Sequence, residues 1–183
     1  LRKLKNEIDI LRRVHELANG RPHYALLIDE LKDISDWDGE NEQQFVVVVT
    51  ELANFGSLKG ILSSKPAGMC LPAQMARKLA FDIAEGLRFL MEPKDRVERI
   101  YYPDVSLANV VVTCDCKNQG EDLSFWKHHV ICASMRAMLC DFEHAVEGAG
   151  ELVSAVTEAY RSPTRITAIA LEDVPKEAVW AFG

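Results

Sequence analysis

Long apolar runs are missing from this sequence. The longest wholly hydrophobic stretches, such as residues 45–49, fall far short of the roughly 20 residues a helix needs to cross a bilayer, so no membrane-spanning helix is expected. A basic region followed by an apolar core is missing as well. Leu1 instead opens a charged amphipathic stretch, which does not read as a secretory leader. An initiator Met is absent and the chain stops at "VWAFG", inside an apolar pattern; both ends are expected to be cut from something longer. Positive charge is in short supply: 21 Lys and Arg stand against 28 Asp and Glu, for a formal charge of -7 and a pI near 5.3. Binding a duplex phosphate backbone depends on clustered cations that displace counterions, so nucleic acid is not an expected partner, nor is an anionic membrane surface. A disulfide framework is lacking too. Five cysteines, an odd number with no extracellular signature, fit reduced thiols in a cytoplasmic or nuclear setting. No internal repeat is visible.

What remains is ordinary globular material: 183 residues, 48% hydrophobic and 27% charged, enough for one domain with a core or two small lobes. Leu1, Leu4, Ile8, Leu11, Val14 and Leu17 recur at three- and four-residue steps and predict an amphipathic helix over 1–18, ended by Gly20 and Pro22. Residues 23–31 read as a strand, the acidic run 32–44 as an exposed turn, and "FVVVVTEL" as the second strand of a hairpin. The unbroken β-branched run 45–50 predicts burial on both faces, in the middle of a sheet. A short helix is expected in "GSLKGILSS". A longer one spans 71–91, with Pro72 near its start and Met75, Leu79, Ile83, Leu87 and Leu90 on one stripe. Strands follow at 109–113 and 135–140, separated by a polar, aromatic insertion at about 115–134. Residues 141–175 read as irregular.

The loop "IYYPDVSLANVVV" (100–112) sets Asp104 and Asn109 five positions apart between two apolar runs. Alone, such a pair is common turn chemistry. Its neighbours change its meaning. "MLCDFEHA" puts Asp141 and Phe142 just after an apolar strand, "VVVVTELANFGSLKGIL" runs a strand into a linker and short helix, and "LKNEIDILRRV" places Glu7 on a helix. In this order, with "YRSPT" and "AVWAFG" further on, the chain resembles the protein kinase superfamily over nearly its whole length. That family's landmarks are H-R-D-x-x-x-x-N, D-F-G and a terminal S-P-E followed by a D-V-W-x-F-G helix.

The resemblance implies an α+β, two-lobed kinase-like fold, incomplete at both ends, over 1–183. Residues 1–53 would be an N-lobe remnant from the regulatory helix to the hinge, and 54–183 a partial, mainly helical C-lobe. It implies ATP and Mg²⁺ as cofactors, a protein substrate or protein partner, Asp104 as the catalytic base, and Asn109 and Asp141 as metal ligands. Glu7 would pair with the phosphate-binding lysine and Thr50 would be the gatekeeper. The linker of Glu51, Leu52 and Ala53 would offer backbone groups to adenine, with Val111 beneath the ring.

Several positions depart from the family pattern. Tyr102 and Pro103 stand where His and Arg are usual, which removes the cation that receives an activating phosphate. Neither Ser106 nor Ala108 is basic. Glu143 replaces the glycine of D-F-G, Thr164 the glutamate of S-P-E, and Ala178 the aspartate that braces the loop. A glycine-rich loop and a V-A-I-K-like strand are absent, so these residues on their own are expected to be catalytically silent. Two other functions compete with the enzyme. One is a pseudokinase acting as a binding or scaffold module. The other is a zinc-stabilised interaction domain using Cys114, Cys116, His128, His129 and Cys132, whose spacing matches no standard finger.

Overall fold

A computed structural model of the protein describes residues 2–18, 28–37, 42–64, 70–91, 99–115, 134–148, 175–176 and 181. Helix α1 (Arg2–Ala18) buries Ile10, Leu11, Val14 and Ala18 along its stripe. The hairpin of β1 (Ile28–Trp37) and β2 (Glu42–Thr50) follows, then α2 (Leu58–Ser63), α3 (Ala73–Met91), β3 (Ile100–Tyr101), β4 (Val110–Thr113), β5 (Arg136–Leu139) and β6 (Val146–Glu147). The described strands form three two-stranded antiparallel sheets, β1-β2, β3-β6 and β4-β5, so the protein is mixed α+β. No described helix is long and apolar enough to cross a membrane.

Two expectations fail at the hairpin. The predicted turn at 32–44 is mostly ladder: Lys32 pairs with Val47, Asp33 with Val46 and Asp36 with Gln43. Backbone N–H and C=O groups close a ladder, so polar side chains do not forbid it. Nor is the described end of the β-branched run, 48–50, enclosed in a sheet interior. Among the described residues β2 pairs with β1 alone, and Val49 is 36% exposed. Val-rich runs fit any pleated, half-buried surface, and the run alone does not specify double burial.

The core joins α1 to α3 through the short strands. Met75, Leu79, Leu87 and Leu90 of α3 pack with Ile100, Tyr102, Val105, Val110, Val112, Leu139 and Phe142. Helix α2 begins at Ser57, whose hydroxyl accepts the Gly60 N–H at 3.1 Å, an N-cap bond. Lys59 N–H donates to Leu107 O at 2.8 Å and ties α2 to the loop before β4. On α3, Asp82 is fully buried within an otherwise apolar stripe. Its carboxylate pairs with Lys78 one turn earlier and accepts the Ala137 N–H of β5 at 3.1 Å. This single side chain joins α3 to the strand that leads to Asp141.

Candidate functional site

Strand β4 carries a two-faced pattern. Val110, Val112 and Cys114 are buried in the core, whereas Asn109, Val111 and Thr113 share the other face, as a two-residue period requires. Asn109 and Val111 therefore look the same way, about 7 Å apart along the strand. Beside this face runs the linker. Phe55 N–H donates to Val112 O at 3.0 Å, Val112 N–H to Gly56 O at 2.9 Å, and Ser57 bridges Val111. Gly56 has φ 68, a backbone that a side chain would strain.

The Asn54 amide completes the attachment by acting as a mock strand partner. Its Nδ2 donates to Cys114 O at 2.8 Å and its Oδ1 accepts Cys114 N–H at 3.0 Å. These bonds decide what the linker can offer a ligand. Leu52 O accepts the Thr113 hydroxyl at 3.1 Å, so the Leu52 carbonyl is committed to the protein. Ala53 O is spent on Gly56 N–H. Glu51 O and Ala53 N–H take no bond among the described residues. The Glu51 side chain is held by Arg136 at 3.0 Å, and Thr50 ends β2 half-buried.

At the start of β4, loop 102–109 is folded around Asn109. Its N–H donates to Ser106 O at 3.1 Å and lies 3.3 Å from the Ser106 hydroxyl. Ser106 is buried, so the position where a cation was missing from the sequence is turned into the loop. The Asn109 Nδ2 donates to Asp104 O at 3.1 Å and to Asp104 Oδ2 at 2.9 Å. With the nitrogen used in this way, the amide's free acceptor is Oδ1. Asn109 O accepts Cys140 N–H at 2.9 Å, which brings the residue before Asp141 against the same loop.

Asp141 is exposed and has φ 60, the left-handed region that few non-glycine residues occupy. Its Oδ1 accepts Glu143 N–H at 3.4 Å, a local bond of the kind that makes Asp tolerant of this backbone. The Tyr102 hydroxyl donates to Cys140 O, and its ring lies 5.3 Å from that of Phe142, tilted by 60°. Burial, then Cys140, Asp104, Asp141 and Glu7, push the Tyr102 phenol well above its usual range, so it remains a donor at any physiological pH. Burial first, then Asp141 and Glu7, raise the Cys140 thiol to about 11 and keep it protonated. Asp104, Asp141 and Glu7 are thus each near enough to bear on the charge of the Tyr102 phenol.

Glu7 projects from α1 into this neighbourhood. Burial and the Asp141 carboxylate raise its pKa above the usual 4.5, with a further push from Glu143, and the Phe142 N–H opposes them. Between 4.5 and the raised value the folded protein binds more protons than the unfolded chain, so the fold weakens as pH rises through that window. Glu7→Gln keeps an acceptor for Phe142 without the charge. It is expected to raise Tm at pH 7, with the gain vanishing below the unfolded value, as calorimetry across pH would show. An equal gain at all pH values would contradict this account.

Sequence reasoning overlooked Asn6, Asn54, Asp82 and the Tyr102 hydroxyl. Only Asp82 left a signal, an acid on an apolar helical stripe with Lys78 four residues earlier. Of the proposed zinc residues, Cys114 is buried with Sγ 3.4 Å from Ser134 Oγ, and the other four lie outside the described residues. So do 160–164 and all of 178–183 except Ala181. No group of three or more His, Cys, Asp or Glu able to hold a metal occurs among the described residues. An apolar cavity of about 310 Å³ between α2, α3 and loop 105–107 is lined by none of Asp104, Asn109 and Asp141. The chain matches no protein-family model, and no curated protein matches it in sequence.

Proposed function

We propose that this chain is part of a divergent protein-kinase-like domain of two lobes that binds ATP with Mg²⁺ and serves phosphoryl transfer to a protein hydroxyl, in the cytoplasm or nucleus. The observation that carries this reading is Asn109. Its side chain grips Asp104 while its carbonyl holds Cys140, so one residue ties the loop that carries Asp104 to the backbone that leads into Asp141.

The donor set suits magnesium, which takes hard oxygens and is usually held by one or two carboxylates together with substrate phosphates, seldom by an all-protein cage. Asn109 Oδ1 and the Asp141 carboxylate are the oxygens this chain would supply. Bound there, the cation would neutralise phosphate charge. The Asp104 carboxylate, held through Oδ2 by Asn109, is the group that would accept a proton from an attacking hydroxyl. Glu51 O and Ala53 N–H supply an acceptor and a donor for a heterocycle edge, and Val111 an apolar surface beneath it.

A nucleotide-binding module without turnover is the second reading. Glu7 supports it, since burial and the neighbouring Asp141 and Glu143 carboxylates set this side chain among like charges. The test is a thermal-shift titration with ATP, with and without Mg²⁺. A rise in Tm that requires both is expected. No response to either would remove the nucleotide reading, and loss of metal and fold together on chelation would favour the zinc domain.

A further inference from the structure

Asn6 belongs to no motif, yet its side chain reaches across the molecule. The Nδ2 donates to Glu143 O at 3.3 Å and Ala145 O at 3.1 Å, 137 and 139 residues away. Asn6 is exposed, so core burial does not force these bonds. They fall on the turn that follows Asp141, where Phe142 O accepts Ala145 N–H at 3.0 Å. Asp enters the left-handed region more easily than most residues, but bonds on either side still fix it there. On the near side of Asp141 that role falls to the two bonds of Cys140, its N–H to Asn109 O and its O from Tyr102. On the far side, Asn6 holds the carbonyls.

We propose that Asn6 is a positioning residue for the Asp141 carboxylate: its amide clamps the turn after Asp141 onto α1 and so keeps the left-handed backbone that sets where this carboxylate points. The proposal rests on the magnesium-nucleotide reading above. The chemistry is specific, because both partners are acceptors and only a donor satisfies them. Asp at position 6 matches Asn in shape but sets a carboxylate against two carbonyls. A second tie from α1, Arg13 Nε to Glu147 Oε1 at 2.9 Å, lies two turns along the helix and ends on β6, beyond the turn at 142–145.

The test uses the full chain, with ATP affinity measured by calorimetry in the presence and absence of Mg²⁺. Asn6→Ala and Asn6→Asp are each expected to lose about tenfold of the magnesium-dependent gain in affinity, the worth of one to two hydrogen bonds. Magnesium-free affinity should stay near wild type, Tm should fall by no more than about 2–4 °C, the cost of the lost bonds themselves, and Arg13→Ala should retain the full gain. The proposal is overturned if Asn6→Ala keeps the wild-type gain, or if both affinities and Tm fall together, the mark of a purely structural role. Should the unmutated chain show no magnesium-dependent gain, the underlying reading fails visibly in the wild type, and this proposal falls with it.

Discussion

Asp82→Ala is expected to lower the unfolding free energy by about 3 kcal/mol, the largest stability loss among single changes away from the site. The carboxylate is fully buried, bonded to Lys78 and to the Ala137 N–H. Removing it orphans a buried amide, which costs about 1–3 kcal/mol, and deletes a charge-assisted bond worth about 1.5–3 kcal/mol. Part of this is recovered because Lys78 is 31% exposed and can return to water. Asp82→Asn keeps an acceptor for Ala137 and should lose roughly half as much. Urea denaturation at pH 7 measures both. A loss below about 1 kcal/mol for the alanine variant would mean that the Asp82 contact with β5 contributes little. Because β5 leads directly into Cys140 and Asp141, the same loss should reach the site as weakened nucleotide binding.

Asp141→Asn is expected to abolish the magnesium-dependent part of ATP binding. Loss of an outer-shell partner already costs roughly 10–100-fold in metal affinity, and loss of a direct charged ligand should exceed that. Asn is the informative substitution. It accepts the Glu143 N–H and enters the left-handed region readily, so the backbone is preserved while the charge is removed. Asp104→Asn should behave differently, since Asn109 Nδ2 can donate to an amide oxygen as it does to Oδ2; magnesium-ATP binding should persist while any phosphoryl transfer disappears. Isothermal titration of both variants separates the roles. Wild-type magnesium dependence in Asp141→Asn would remove this residue from the metal site and leave Asn109 without its partner ligand.

The two helical stripes were plain in the sequence. Leu11 and Val14 of α1, and Met75, Leu79, Ile83, Leu87 and Leu90 of α3, are buried as their three- and four-residue spacing dictates, because a helix alone fixes which residues share a face. The alternation that sets Asn109 and Val111 on one side of β4 was equally readable, since a strand fixes its faces without help from the rest of the chain. The limits of the hairpin were not. Lys32, Asp33 and Asp36 look like turn residues, and only the register against Val47, Val46 and Gln43 makes them strand.

Residue identity thus determined the helices, the strand faces and the candidate pair Asp104 and Asn109, all local matters of period and spacing. Tertiary structure alone decided that Asn109 spends its amide nitrogen on Asp104, that Cys140 docks against it, that Asp141 turns left-handed, and that Asn6 and Asp82 reach across to hold the neighbouring segments. The reason is physical. A donor's partner is set by what the packed chain brings within 3 Å or so of it, and no short-range pattern encodes contacts such as Asp82 with Ala137 or Asn6 with Ala145, 55 and 139 positions apart.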